Sequence, residues 1–160
     1  MPEDHSQKKK NSYQPKKSES QKKQKSKTVF STSSCHSPAL VIDLKYMSIR
    51  IHKSTMDALG NPEYIELLVA PSLRTLAIRP SNKTVTAKRI NRQKLDSSRS
   101  FMVYSTPIVQ SILNISPDWD IGHTYKMEGK AIPDKSMIVF EMRNARKIHE
   151  YEYIEDFSKT

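Results

Sequence analysis

The chain has 160 residues, 27 of them Lys or Arg and 17 Asp or Glu, leaving +10 with the histidines neutral. Only 36% are hydrophobic; no apolar run nears the ~20 residues of a membrane span, and the lysine-rich start lacks the ~7–15 apolar residues of a secretory signal. A membrane-spanning or exported protein is therefore not expected, and a lone cysteine, Cys35, points to a reducing, cytoplasmic setting without disulfides.

Taken in chain order, residues 1–37 hold nine lysines (Lys8, Lys9, Lys10, Lys16, Lys17, Lys22, Lys23, Lys25 and Lys27) against Glu3, Asp4 and Glu19. With so few apolar groups to offset chain entropy, this stretch is predicted to be a disordered basic arm. From Pro38 the pattern changes. Ala39–Leu44 and Met47–His52 alternate and are rich in β-branched residues, which predicts strands. Ser54–Leu59 reads as a short helix stopped at Gly60. Tyr64–Val69 and Thr75–Arg79 then form a hairpin about the turn Pro71–Arg74. These residues make up a first strand-helix-hairpin unit, 38–82.

Residues 83–99 read as a basic linker. There Lys83, Lys88, Arg89, Arg92, Lys94 and Arg99 face a single acid, Asp96. Residues 100–147 repeat the order of elements. Phe101–Tyr104 is a strand, Thr106-Pro107 opens a helix through Ile108, Val109, Ile112 and Leu113, and strands at Thr124–Met127 and Met137–Met142 flank a turn at Pro133–Lys135. Residues 148–160 form an acidic, aromatic tail with Glu150, Glu152, Glu155, Asp156, Tyr151, Tyr153 and Phe157. The predicted fold is α+β and strand-dominated: two related β-α-β-β units after a basic arm.

The run Ile49-Arg50-Ile51-His52-Lys53, followed by a short helix ending at Leu59-Gly60 and then a hairpin, resembles the half-unit of swapped-hairpin transcription factors of the AbrB and MraZ type. The resemblance covers about Met47 to Pro80 and, more loosely, Ser100 to Met142. It implies a DNA-binding protein in which the strand-to-helix region delivers cations, here Arg50 and Lys53. The chain departs from the family pattern: His52 stands where proline is usual, Gly-Asp is missing before the first hairpin, and Asp120-Ile121-Gly122 keeps only part of it in the second.

The charge points to the same destination. Cations that neutralise phosphates release counterions and bind any sequence, while base edges must be read from ordered positions. Arg50, Arg74 and Arg79, in or beside predicted strands, are candidates for such contacts with guanine. Lys53 and the cations of residues 83–99 are candidates for phosphate, as are those of the arm. Each has a plainer reading, as a solvated face or a solubilising segment. Trp119 and the tyrosines suit either base stacking or core packing, and packing is favoured for Trp119.

No catalytic constellation emerges. The histidines His5, His36, His52, His123 and His149 are dispersed, Asp118 and Asp120 suit a turn cap, and three glycines leave no room for a phosphate loop. The expectation is a non-enzymatic DNA-binding regulator or nucleoid-type accessory factor, without metal or cofactor, as a homodimer. RNA is a lesser candidate ligand. The alternative is a protein-interaction module whose hairpins and acidic tail meet a protein partner while the lysines only maintain solubility.

Overall fold

The structure, a computed structural model, describes residues 36–149. Its nine strands are β1 (Ala39–Asp43), β2 (Ser48–His52), β3 (Tyr64–Ala70), β4 (Thr75–Ser81), β5 (Lys88–Arg89), β6 (Ser100–Tyr104), β7 (Thr124–Ile132), β8 (Met137–Glu141) and β9 (Arg146–Ile148). Three helices are α1 (Lys53–Ala58), α2 (Arg92–Ser98) and α3 (Thr106–Ile115). All strand pairs are antiparallel, in the order β5-β3-β4-β8-β7-β1-β2-β6, with β9 also on β7. The molecule is thus α+β and strand-dominated. None of the described helices is long and apolar enough to cross a membrane.

Burial follows the alternation of the sequence. On β2 the inward residues Ile49 and Ile51 are buried, as are Ile65 on β3, Leu76 and Ile78 on β4, Met127 on β7 and Ile138 and Phe140 on β8. β1, paired along both edges by β2 and β7, is buried on both faces, with Leu40 and Ile42 at 0% and Val41 at 2% exposure. A buried side chain joins α1 to this strand. Thr55 Oγ1 accepts the Ala39 N–H at 2.9 Å and donates to the Ala39 carbonyl at 2.7 Å, satisfying both groups of a strand end.

The strand-helix-hairpin order occurs twice, as β2-α1-β3-β4 and β6-α3-β7-β8. Both hairpins turn through a single 3-10 turn that begins at proline, Pro71–Leu73 and Pro133–Lys135. Each turn closes on a left-handed residue, Arg74 or Ser136, with φ 48° and ψ 49° in both. Pro107 sits in the first turn of α3, where its missing N–H leaves no bond unmade, and Val109 and Ile112 pack inward.

Two segments differ from the sequence expectation. Residues 83–99, read as a linker, carry β5 and α2. The Asn91 side chain caps α2 by accepting the Lys94 N–H at 3.0 Å, and Leu95 and Ile90 are drawn into the core. An isolated Leu among cations gives no periodic signal, so a capped seven-residue helix reads as a loop. The second difference is β9. It pairs with β7 across the expected boundary at 147/148.

Candidate nucleic-acid interface

In an antiparallel sheet, residues directly opposite one another project from the same face. On the outward face Arg146 of β9 opposes Lys126 of β7, Lys126 opposes Val41 of β1, Val41 opposes Arg50 of β2, and Arg50 opposes Met102 of β6. A single transverse row therefore holds three cations. Strands are spaced about 4.8 Å apart, so the row from Arg146 to Arg50 spans roughly 14 Å. Arg146 is exposed, and Lys126 and Arg50 are partly exposed; their stems flank buried Val41. Tyr104, 70% exposed, lies on the same face one row away, opposite Ser48.

Of the ordered cations predicted from the sequence, Arg50 alone joins this row. Arg79 pairs across the first hairpin with Glu66, donating from Nε at 3.1 Å and from a terminal nitrogen at 2.8 Å to the same carboxylate oxygen. The other oxygen of Glu66 accepts from Thr84 at 3.1 Å and Thr86 at 3.0 Å, which latches the chain after β4 onto β3. The Arg79 guanidinium, then Thr86 and Thr84, hold the Glu66 carboxyl below its ordinary range. Arg74 bonds Asp118, and its carbonyl accepts the Met142 N–H at 2.9 Å. These two arginines brace the fold.

Lys53 also braces it. Its ammonium lies 3.1 Å from Asp96 on α2 and 3.2 Å from Asp57 on α1, and the Asp96 bond leads in raising its pKa. Arg92 donates to the Asn61 carbonyl at 2.6 Å, and Arg89 lies 3.4 Å from Glu63. Lys83, Lys94 and Arg99 are exposed, and Lys88 is half-buried in β5. Arg99 ends α2 in a left-handed conformation. The arm residues Lys8, Lys9, Lys10, Lys16, Lys17, Lys22 and Lys23 lie outside the described residues.

Lys126 and Arg146 are members that sequence reasoning passed over. Lys126 is one cation among mixed residues and Arg146 sits in the short run Arg143-Asn144-Ala145-Arg146-Lys147, outside the two basic stretches the sequence singles out, and only strand register unites them with Arg50. The signal available was Lys126 between Tyr125 and Met127, an outward cation between two inward residues.

Trp119 is buried and stacked on Tyr125, ring centroids 4.3 Å apart and 7° from parallel. The Tyr125 hydroxyl accepts the Asp120 N–H at 2.8 Å. That pair is core packing. Asp120 also takes the Lys147 ammonium at 2.8 Å, which lowers the pKa of its carboxyl. Among the described residues no group of three or more His, Cys, Asp or Glu is placed to hold a metal ion.

No family model, curated protein or solved structure matches this chain.

Proposed function

We propose that the chain binds nucleic acid, DNA in preference to RNA, as a small regulator or nucleoid-type accessory factor. The observation that carries this reading is the row Arg50, Lys126 and Arg146 on one sheet face. A polyphosphate laid across the row meets its cations and releases condensed counterions. The chain's net +10 adds long-range attraction of the same sign. The swapped-hairpin resemblance supports the same reading, because Arg50 lies on the strand that enters the first helix, where that family carries its DNA-binding cations.

Salt titration tests the proposal. Fluorescence anisotropy of a labelled duplex should show affinity falling with salt, and each of Arg50→Ala, Lys126→Ala and Arg146→Ala should flatten the log-log slope by about 0.9. Slopes that match the parent in all three variants would remove the row from the mechanism. Structured RNA as competitor ranks the two nucleic acids.

A protein-interaction reading has its own observation. Leu68, Ala77 and Val139 form a half-buried apolar row on the outer face of the paired hairpins, with Leu73 61% exposed at the first turn. A partner that stays bound after nuclease treatment would favour it.

A further inference from the structure

The outward face of the sheet is more closed than its strands explain. Ile148 lies on β9, an edge strand that pairs only with β7 among the described strands, yet it is only 5% exposed. It opposes Thr124, so it shares its face with Arg146, Lys126, Val41 and Arg50. Neither Ile148 nor Val41 belongs to the continuous core. That core takes Leu40 and Ile42 from the other side of β1, together with Met56, Leu95, Val109 and Ile112 from the helices. The stems of Lys126 and Arg50 shield Val41 in part, but the one residue opposed to Ile148 is half-buried Thr124.

Charge and chain length identify what covers this face. Directly beyond the described residues the sequence runs Glu150-Tyr151-Glu152-Tyr153-Ile154-Glu155-Asp156-Phe157, four acids among four aromatic or aliphatic residues. Eight residues reach roughly 26 Å when extended, more than the roughly 19 Å of four strand spacings from β9 to β6. The face offers the cations Arg50, Lys126 and Arg146 and apolar Val41 and Ile148. Its own acids are Glu128, opposite Ala39, and Asp43, which already accepts the Lys45 and Tyr46 N–H groups at 3.0 Å. The other candidate, the lysine-rich residues 1–35, brings nine lysines against three acids and carries the wrong sign.

Resting on the nucleic-acid reading above, we infer that residues 150–157 lie across the row Arg50, Lys126 and Arg146 of their own chain and are displaced when nucleic acid binds. The row then has a carboxylate partner in the free protein and exchanges it for phosphate in the complex. The segment is therefore a built-in competitor: seated in about nine chains of ten, it weakens nucleic-acid binding about ten-fold.

Zero-length carbodiimide coupling of the full-length protein in dilute solution, followed by peptide mass mapping, tests the contact without nucleic acid. The Lys147–Asp120 pair, 2.8 Å apart, serves as internal standard. Lys126 should link to a carboxylate of residues 150–157 within one chain, in a yield comparable to the standard. A short duplex at low salt should then cut that yield several-fold while the standard holds. Links from Lys126 only to Glu3, Asp4 or Glu19, links only between chains, or none to residues 150–157 overturn the inference. A duplex that binds and leaves the link intact overturns the displacement. A protein whose Lys126 is linked but which binds no duplex overturns the nucleic-acid reading and leaves the seated segment standing.

Discussion

The two hairpins share a backbone and differ in how they fill it. In the first, Leu67 faces Ile78 across β3 and β4; in the second, the equivalent positions hold Gly129 and Phe140. The pair β4·β8 puts Leu76 against Phe140 and Ile78 against Ile138, so both hairpins feed one core. A large side chain at one site is matched by glycine opposite. A Cβ built on Gly129 would stand 2.5 Å from the Phe140 ring and 2.6 Å from Ile138. The comparison teaches that total volume and turn geometry hold this fold, while individual positions are free to trade size.

Their ladders also differ in length. Glu66 faces Arg79 in the first hairpin, and the ladder runs on to Tyr64 and Ser81. The second hairpin's ladder stops at Gly129 and Phe140, just where the equivalent pair would be Glu128 and Glu141. Two opposed carboxylates do not sustain a ladder. The chain instead leaves through a 3-10 turn at Met142–Asn144, with Asn144 donating to Glu141 at 3.1 Å, and rejoins β7 as β9.

The largest break in the comparison comes from Phe140→Ala, which should cost about 3–5 kcal/mol in urea unfolding, because the facing glycine offers nothing to fill the cavity. Gly129→Ala should cost about 1–3 kcal/mol through overpacking. Combined with Phe140→Ile, which copies the residue of the first hairpin, it should cost less than the sum of the two single changes. Additive costs would show that the two positions do not share space.

A smaller effect distinguishes the hairpins by pH. The Glu66 carboxyl has an ordinary value of 4.5 and is held lower in the folded protein by Arg79, Thr86 and Thr84. Its stabilising contribution is complete above about 4.5 and is lost as pH falls through the lower folded value. Unfolding measured from pH 6 downward should therefore be less steep in Glu66→Gln than in the parent. Glu141→Arg should give the smallest change, a gain of about 0.2–1 kcal/mol, by placing an opposite charge before Glu128.

Much of the fold was legible because burial and alternation coincide. β1, β2 and the proline turns carry their signals locally, as a short continuous apolar run, as isoleucine at alternate positions, and as Pro-x-x before a left-handed residue. α2 was not legible, since Asn91 and Leu95 acquire meaning only when the core accepts the leucine. The candidate site was less legible still. Arg74 and Arg79 looked available in the sequence, yet each finds an acid on another element, Asp118 and Glu66. Lys126 and Arg146 looked ordinary and became neighbours of Arg50 through pairings among β9, β7, β1 and β2. Local pattern sets which side of a strand a residue faces; only register says who stands beside it.

The placement of β1 carries a consequence for biosynthesis. The first of the described strands to be made, with Leu40 buried opposite Met127, finds one neighbour at once in β2 and the other only when β7 has been synthesised. Until then an apolar ribbon with an unfilled hydrogen-bonding edge trails from the ribosome, and a pairing this distant slows closure. During that interval the nascent chain is most exposed to aggregation, and chaperone capture would serve it best.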